Sequence, residues 1–354
     1  MPPTDFSRTQ APRLDWLALA APEPVLDPAQ PIIDTHMHLW HHHSGYRYFV
    51  EDMAQEIAAS GHNIVSTLYV ECKSMYRATG PEALRPVGET EFAAGQGAIA
   101  DSGKYTSARI AEGIVGYADL TLGPALGDVL DAHIAAGNGR FRGIRMRAKW
   151  DPDPQVKGAV SADAPHLYLE PRMQDGLRAL AKRGLVFEAS IYHPQIADVA
   201  ALARAVPEAQ IVLIHTGSPV GHSSYAGRQP EELQRFTSDI RDLALCPNVS
   251  VKLGGILMTL AAFDFGKAPR PIGSAALLDL WRPYLETCIE AFGPKRAMVS
   301  SNFPVDKAGY SYGCCWNMFK RLCAAYSETE RQEIFASTAA RIYGLRDPHA
   351  RGAE

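Results

Sequence analysis

The feature that most constrains the fold of this 354-residue chain is a pattern that recurs eight times: a short apolar run, a loop and a longer amphipathic stretch. The runs are continuous and rich in β-branched residues, which is typical of parallel strands buried on both faces. Strands that alternate with helices form either a closed barrel or an open, doubly wound sheet. The predicted strands are Pro31–Thr35, Ile64–Val70, Ile114–Tyr117, Phe141–Met146, Leu185–Ile191, Ile211–Ile214, Val249–Leu253 and Ala297–Ser300.

The closed barrel is the better of these two architectures. Eight strand–helix units are the number in a (β/α)8 barrel. An open nucleotide-binding sheet would need a G-x-G-x-x-G motif after its first strand, and none follows residue 35. We therefore predict an α/β chain with a single (β/α)8 TIM barrel as its catalytic domain over residues 31–346. A proline- and alanine-rich N-terminal arm over 1–30 precedes it, and a C-terminal tail over 347–354 follows it.

The composition narrows the class of partner. With 46% apolar residues the chain can bury a large core, whereas a net charge of −4 provides no basic surface for nucleic acid or membranes. The six cysteines are thinly spread and show no C-x-x-C spacing, which favours free thiols and a cytoplasmic location. A small-molecule substrate is therefore expected, with no nucleic acid and no membrane as partner. The arm is also compatible with a homodimer.

The residues that indicate chemistry begin with the pair His36 and His38, directly after the first apolar run. Residues two apart on a strand face the same side, so both imidazoles are predicted to point into the barrel mouth. Two imidazoles on one face form half of a divalent-metal site. The alternative is a pair of packing histidines. The run 41–43 is also all histidine, but its position in a loop favours solvated side chains.

Charged residues also stand at the predicted strand ends. Arg145 and Arg147 share a face of the fourth strand, and a guanidinium there can bind a substrate carboxylate through two parallel hydrogen bonds. Charges inside a barrel are costly unless they are paired or used. A structural ion-pair network is the alternative, above all for Glu188 and Lys252. The residues predicted to bind substrate are Arg147, Tyr192, His193, Trp40 and Glu188, besides Arg145 itself.

The segment IIDTHMHLW at 32–40 resembles the opening of proteins in the amidohydrolase superfamily, in particular its amidohydrolase-2 branch of metal-dependent barrel hydrolases. The resemblance continues over most of the chain after the arm. It is carried by FRGIRMRAKW at 141–150, LVFEASIYHPQ at 185–195, IVLIHTGSP at 211–219, VSVKLGGI at 249–256, MVSSNFPVDK at 298–307 and STAARIYGL at 337–345.

The resemblance implies that His36, His38 and His215 are metal ligands, with zinc the leading candidate. It also implies an aspartate on the last strand that binds the metal and takes a proton from the attacking water. Asn302 stands at that position, and an amide cannot act as that base. Asp306, four residues further on, is a candidate replacement. A site without metal is therefore the alternative, and some lactonases of the branch are thought to work without one.

The function expected from these residues is hydrolysis of a small lactone, or of a related carboxylic ester or amide, at a His-rich site in the barrel mouth. The predicted catalytic residues are His36, His38, His215, Arg145 and Asp306. One alternative is non-oxidative decarboxylation of an aromatic or unsaturated carboxylic acid. The other, suggested by Asn302, is a non-catalytic barrel that binds a small molecule.

Overall fold

A computed structural model of the chain describes residues 11–42, 45–156, 164–255 and 268–350. Within these ranges, eight parallel strands pair in chain order into one sheet. Every predicted run overlaps one of them. The strands are β1 Ile32–Met37, β2 Ile64–Val70, β3 Arg109–Gly116, β4 Phe141–Arg147, β5 Val186–Ser190, β6 Ile211–Leu213, β7 Val249–Leu253 and β8 Ala297–Val299.

The sheet closes where β1 meets the segment after β8. The His38 N–H donates to the Phe303 carbonyl at 2.8 Å, and the Asn302 N–H donates to the His36 carbonyl at 2.8 Å. Met37 and Phe303 form a parallel bridge between these bonds. The sheet is therefore a nearly closed barrel, and the predicted (β/α)8 architecture is confirmed.

The third strand begins five residues earlier than predicted, at Arg109 rather than Ile114. Its first half carries two charged residues, Arg109 and Glu112, whose side chains form an ion pair at 2.9 Å that remains partly exposed. These charges interrupt the apolar run, so the pattern missed this half, although its Ile110 and Ala111 are buried.

One short helix precedes β1, and the others lie between the strands and after β8. Gly61, in the left-handed conformation at φ 69°, ends the first barrel helix. Ser327 and Glu330 form a capping box. A π-helical turn over Glu333–Ser337 separates the last two α-helices. The α-helices are Leu14–Leu17, Val50–Ser60, Val87–Ala100, Leu126–Ala136, Pro171–Ala181, Ile196–Ala205, Gln229–Ala244, Ser274–Phe292, Tyr312–Leu322, Glu328–Gln332 and Thr338–Tyr343.

Two apolar layers hold the barrel together. The larger lies mostly between the sheet and the surrounding helices. The smaller joins alternate strand residues, such as Ile33 and Val212, to Ala339 and Tyr343 of the last helix. Burying these side chains removes apolar surface from water, which is the main stabilising term of such a fold.

The residues before β1 pack on the same chain. Trp16 is buried and its indole N–H donates to the Ala268 carbonyl at 2.9 Å. The Lys320 ammonium donates to the Asp27 carbonyl at 2.6 Å. The predicted domain boundaries, the cytoplasmic location and the homodimer stay predictions. Among the described helices, none has the length and apolar character needed to span a membrane.

Candidate active site

Three predicted histidines meet at the C-terminal ends of the barrel strands. His36 lies on β1, His38 follows β1 and His215 follows β6. The ring centroid of His36 is 5.0 Å from that of His38 and 4.4 Å from that of His215. All three side chains are buried. Among the neighbouring loop histidines, His41 is exposed on a short antiparallel ribbon and His43 lies outside the described residues.

His38 has one ring nitrogen committed to the backbone. Its Nδ1 lies 2.7 Å from the Val70 carbonyl, which can only accept, so the proton is on Nδ1 and the lone pair is on Nε2. Burial is the largest cause that lowers the pKa of His38, to about 3, and the ring is therefore neutral near neutral pH. His38 thus presents a bare lone pair to the centre of the site.

Asn302 is held so that its carbonyl oxygen faces that lone pair. Its Nδ2 donates to Asp306 Oδ1 at 2.7 Å, which leaves Oδ1 at 3.3 Å from His38 Nε2. Two acceptors therefore face each other, and neither carries a proton for the other. A donor such as a water molecule or a hydroxyl group can satisfy both.

Asp306 lies behind Asn302. Its Oδ1 accepts from Asn302 and its Oδ2 accepts from the Tyr310 hydroxyl at 2.7 Å. The carboxylate is buried, and these bonds direct it toward Asn302 and Tyr310. We therefore assign Asp306 to positioning Asn302, while its part as the catalytic base stays a prediction.

The backbone around His215 is strained. His215 and Thr216 have φ values of 53° and 51°, in the left-handed region that a β-branched residue such as threonine rarely enters. The Thr216 hydroxyl accepts from the Gly254 N–H at 3.1 Å and so joins this turn to the end of β7. The turn aims the imidazole inward, where its Nδ1 has no partner among the described residues.

A glycine after β7 leaves room for this ring. A Cβ at Gly255 would overlap with Nδ1 of His215. We expect Gly255→Ala to displace the imidazole and to lower kcat/KM about 10-fold or more, since small misplacements of catalytic groups are costly. The matched control is Gly184→Ala, because Gly184 has a φ of 64° against 63° at Gly255 but no atom within 4 Å of its Cβ. Equal activity of the two purified variants would contradict the prediction.

Arg145 and Arg147 both bind Glu71 from β2. Arg145 Nε and Arg147 Nη2 each lie 2.8 Å from Glu71 Oε1, and Arg145 Nη2 also donates to the Glu71 carbonyl. Burial raises the pKa of Glu71, but the two guanidinium groups outweigh it and the net shift is downward. Arg145 Nη1 lies 3.2 Å from Nε2 of His36. Arg145 therefore reaches the centre, but two of its three nitrogens already bind Glu71.

Glu188 and Lys252 form the structural ion pair that was the alternative to a binding role. Lys252 Nζ lies 2.5 Å from Glu188 Oε1 and donates to the Thr35 carbonyl at 2.5 Å. The Tyr343 hydroxyl donates to the same Glu188 oxygen at 2.7 Å. Both charged side chains have no exposed surface. The predicted contact of Glu188 with substrate therefore has little support in this arrangement.

The other predicted binding residues surround the mouth. Trp40 stacks on the His38 ring, with centroids 5.8 Å apart. The Tyr192 hydroxyl donates to the Val156 carbonyl at 3.1 Å. Both ring nitrogens of His193 are engaged, Nδ1 by the Val220 N–H at 3.1 Å and Nε2 by Glu232 at 3.1 Å. His193 thus holds a mouth loop, while Trp40 and Tyr192 border the site.

One basic residue near the site was missed by the sequence analysis. Lys149 is buried, and its Nζ lies 5.2 Å from the centroid of the Tyr192 ring. Among the charged groups around His215, Lys149 has the largest effect in lowering the pKa of that imidazole, after burial. The signal was present as basic residues at every second position, at 145, 147 and 149.

The nitrogen and oxygen atoms of the site can be compared with what a divalent metal ion needs from its ligands. Arg145 Nη1 faces Nε2 of His36, whose Nδ1 has no partner among the described residues, and the oxygen facing His38 belongs to the uncharged Asn302. In the described ranges, no group of three or more His, Cys, Asp or Glu side chains has the arrangement to hold a metal ion. Buried cations around the centre also outnumber the carboxylates paired with them, which disfavours a further cation. As arranged, these residues do not fit a resident divalent metal.

Asn302→Asp tests this conclusion. In the wild type, Asn302 Nδ2 donates to Asp306 Oδ1 at 2.7 Å. The variant replaces this donor by an oxygen that faces the same carboxylate. Because two buried carboxylates would then repel, we expect about 1–3 kcal/mol of destabilisation. We expect zinc to raise the thermal midpoint of the variant and to leave the wild type unchanged. An unfolding midpoint equal to that of the wild type without zinc would contradict the prediction.

Comparison with known proteins places this site in a family. The amidohydrolase family model matches residues 33–345. The uncharacterized protein y4mH of Sinorhizobium fredii is 32% identical over 325 residues, which cover 88% of this chain and 98% of that protein. An L-fucono-1,5-lactonase of Burkholderia multivorans is 26% identical over 328 residues, covering 89% of this chain and 97% of the relative.

The solved structures agree on the fold. A crystal structure of an amidohydrolase from Burkholderia multivorans, with bound zinc, has a TM-score of 0.68 and 23% identity, and the match covers 89% of this chain and 99% of that one. The family match extends over nearly the whole barrel. The chain therefore belongs to the amidohydrolase family and is a hydrolase.

Proposed function

We propose that this hydrolase opens a small lactone, or cleaves a related carboxylic ester or amide, by attack of a water molecule that lies beside His38 and Asn302 and donates to both. The observation that carries the proposal is the pair of acceptors, His38 Nε2 and Asn302 Oδ1, 3.3 Å apart. The similarity to an L-fucono-1,5-lactonase supports the lactone as the substrate class.

The water molecule donates one hydrogen bond to each acceptor, which directs an oxygen lone pair toward the substrate carbonyl carbon. As the new C–O bond forms, a water proton moves to His38 Nε2, while Nδ1–H remains on the Val70 carbonyl. Burial makes the imidazolium form of His38 costly. The proton therefore passes from His38 to the ring oxygen of the lactone as the old C–O bond breaks. The product is a hydroxy acid.

The oxyanion that develops on the substrate carbonyl needs a positive or hydrogen-bonding group beside it. Arg145 Nη1 lies beside His36, and the carboxylate of Glu71 holds the guanidinium in place. His215 contributes a second ring, whose buried Nδ1 meets no partner from the described residues. Groups fixed in advance in a buried site stabilise such charge more than mobile water does.

A divalent metal is suggested for this chain by its family and by the zinc-bound neighbour. Zinc is the ion that three imidazoles would favour, and when bound it would polarise the carbonyl and activate water. The donor set described above does not fit it, and no step of the proposed reaction depends on it.

The experiment is to measure zinc content and hydrolysis of five- and six-membered lactones, esters and amides, before and after dialysis against a chelator. We expect much less than one zinc per chain and undiminished hydrolysis. One tightly bound zinc, with activity lost on chelation and restored by zinc, would overturn the metal-free reaction. Absence of any hydrolysis would overturn the function, and release of carbon dioxide from an unsaturated acid would identify a decarboxylase.

A further inference from the structure

A buried lysine just beyond β4 has no counter-charge in the part of the chain that the structure describes. Lys149 is only 6% exposed, and its Nζ contacts the face of the Tyr192 ring. Among the described residues, no carboxylate and no hydrogen-bond acceptor meets this ammonium. Burial, then the charges of Arg147 and Arg145, lower the pKa of Lys149 to about 7.

The other cations around the centre all have carboxylate partners. Arg145 and Arg147 share Glu71, and Lys252 is paired with Glu188. When protonated, Lys149 is therefore a positive charge with no carboxylate partner among the described residues, placed where water is largely excluded. An unpaired buried charge is costly, and a ligand that brings a negative charge removes that cost.

The position of Lys149 distinguishes it from the groups that meet the reacting carbonyl. Lys149 lies two residues beyond the end of β4, whereas Arg145 lies within the strand. Arg145 contacts His36, whereas Lys149 packs on the ring of Tyr192, whose hydroxyl donates to the Val156 carbonyl of a mouth loop. Arg145 is thus committed to Glu71 and His36, while Lys149 is available to another group of the substrate.

We propose that Lys149 determines specificity by binding a carboxylate group of the substrate that is separate from the hydrolysed bond. The substrate class is then an anionic lactone or ester. Arg145, which the sequence analysis assigned to this task, remains with Glu71 and His36. The inference rests on the proposed hydrolysis, but it concerns a different group of the substrate and a different residue.

The test compares a carboxylate-bearing lactone with an analogue whose carboxylate is replaced by hydroxymethyl. We expect Lys149→Met to lower kcat/KM for the anionic lactone about 10- to 100-fold, mainly through KM, because a hydrogen bond to a charged group is lost. For the neutral analogue the change should be within about two-fold, as expected when no charge is recognised. Lys149→Arg should retain most of the activity toward the anionic lactone.

Lys182→Met is the matched control, because Lys182 is exposed on the surface after the helix Pro171–Ala181. An equal loss on both substrates would overturn the inference, since it would show a structural or catalytic role. No loss on either substrate would also overturn it.

Equilibrium binding separates this inference from the proposed function. Calorimetry with glutarate should show binding to the wild type and much weaker binding to Lys149→Met. That result without hydrolysis of any lactone would support the anion site and overturn the proposed function. Hydrolysis of both lactones by the wild type and Lys149→Met alike, with equal glutarate binding, would leave the proposed function standing and overturn the inference.

Discussion

His38→Asn is expected to lower kcat/KM for the best lactone by about 10²- to 10⁴-fold, the usual contribution of a general base. In the wild type the Val70 carbonyl accepts from His38 Nδ1 at 2.7 Å, and an asparagine amide at position 38 can still donate to it. The variant removes Nε2 and its lone pair, so the water molecule loses one of its two acceptors. Steady-state kinetics should show the loss mainly in kcat, because the residue acts on the water molecule rather than on the substrate.

The control for this variant is His41→Asn, at an exposed position three residues after His38. Both purified proteins should show the circular dichroism of the wild type, and only His38→Asn should lose activity. Asn302→Ala would test the second acceptor in the same assay. Full activity of folded His38→Asn would show that another group takes the proton, and the proposed reaction would then be wrong.

Glu188→Ala is expected to reduce the free energy of unfolding by about 3–5 kcal/mol, because it leaves the Lys252 ammonium buried without its partner. Glu188 also accepts from the Tyr343 hydroxyl at 2.7 Å, so the variant removes an acceptor from two buried donors and leaves Lys252 with the Thr35 carbonyl. Urea unfolding of wild type and variant measures the difference. The double variant Glu188→Leu with Lys252→Met should recover most of the loss, since both charges are then replaced by apolar groups of similar size.

A surface ion pair provides the comparison. Arg204 and Asp242 lie 2.7 Å apart, but each side chain is 51% exposed. Asp242→Ala should change the free energy of unfolding by less than about 1 kcal/mol, because water and salt screen the pair. If Glu188→Ala and Asp242→Ala had the same effect, the buried pair would not be the stabilising feature that its geometry indicates.

Much of the site could be predicted because it depends on local periodicity. His36 and His38 were placed on one side of β1 from their spacing alone, and the structure puts their ring centroids 5.0 Å apart. His215 came from a resemblance that extends over nearly the whole chain. Lys149 was missed because it lies beyond the apolar run of β4, where the strand pattern no longer indicates which way a side chain points.

The roles of the charged residues could not be read in the same way. Arg145 was expected to be free for a carboxylate, but Glu71, 74 residues earlier in the chain, binds it through Nε. His193 was expected at the substrate, but Val220 and Glu232 bind its two nitrogens. In each case the partner comes from a different strand or loop, and no local sequence pattern predicts it.

The sequence by itself determined the alternation of strands and helices, the closed barrel and the face on which the histidines stand. These depend on the spacing of apolar and polar residues within one element, where the repeat of the backbone dictates direction. Only the tertiary structure decided which charges are paired, which lone pairs remain open and which cation is left without a partner. Those outcomes depend on distances of a few ångströms between residues far apart in the chain, because electrostatic and hydrogen-bond energies change steeply over such distances.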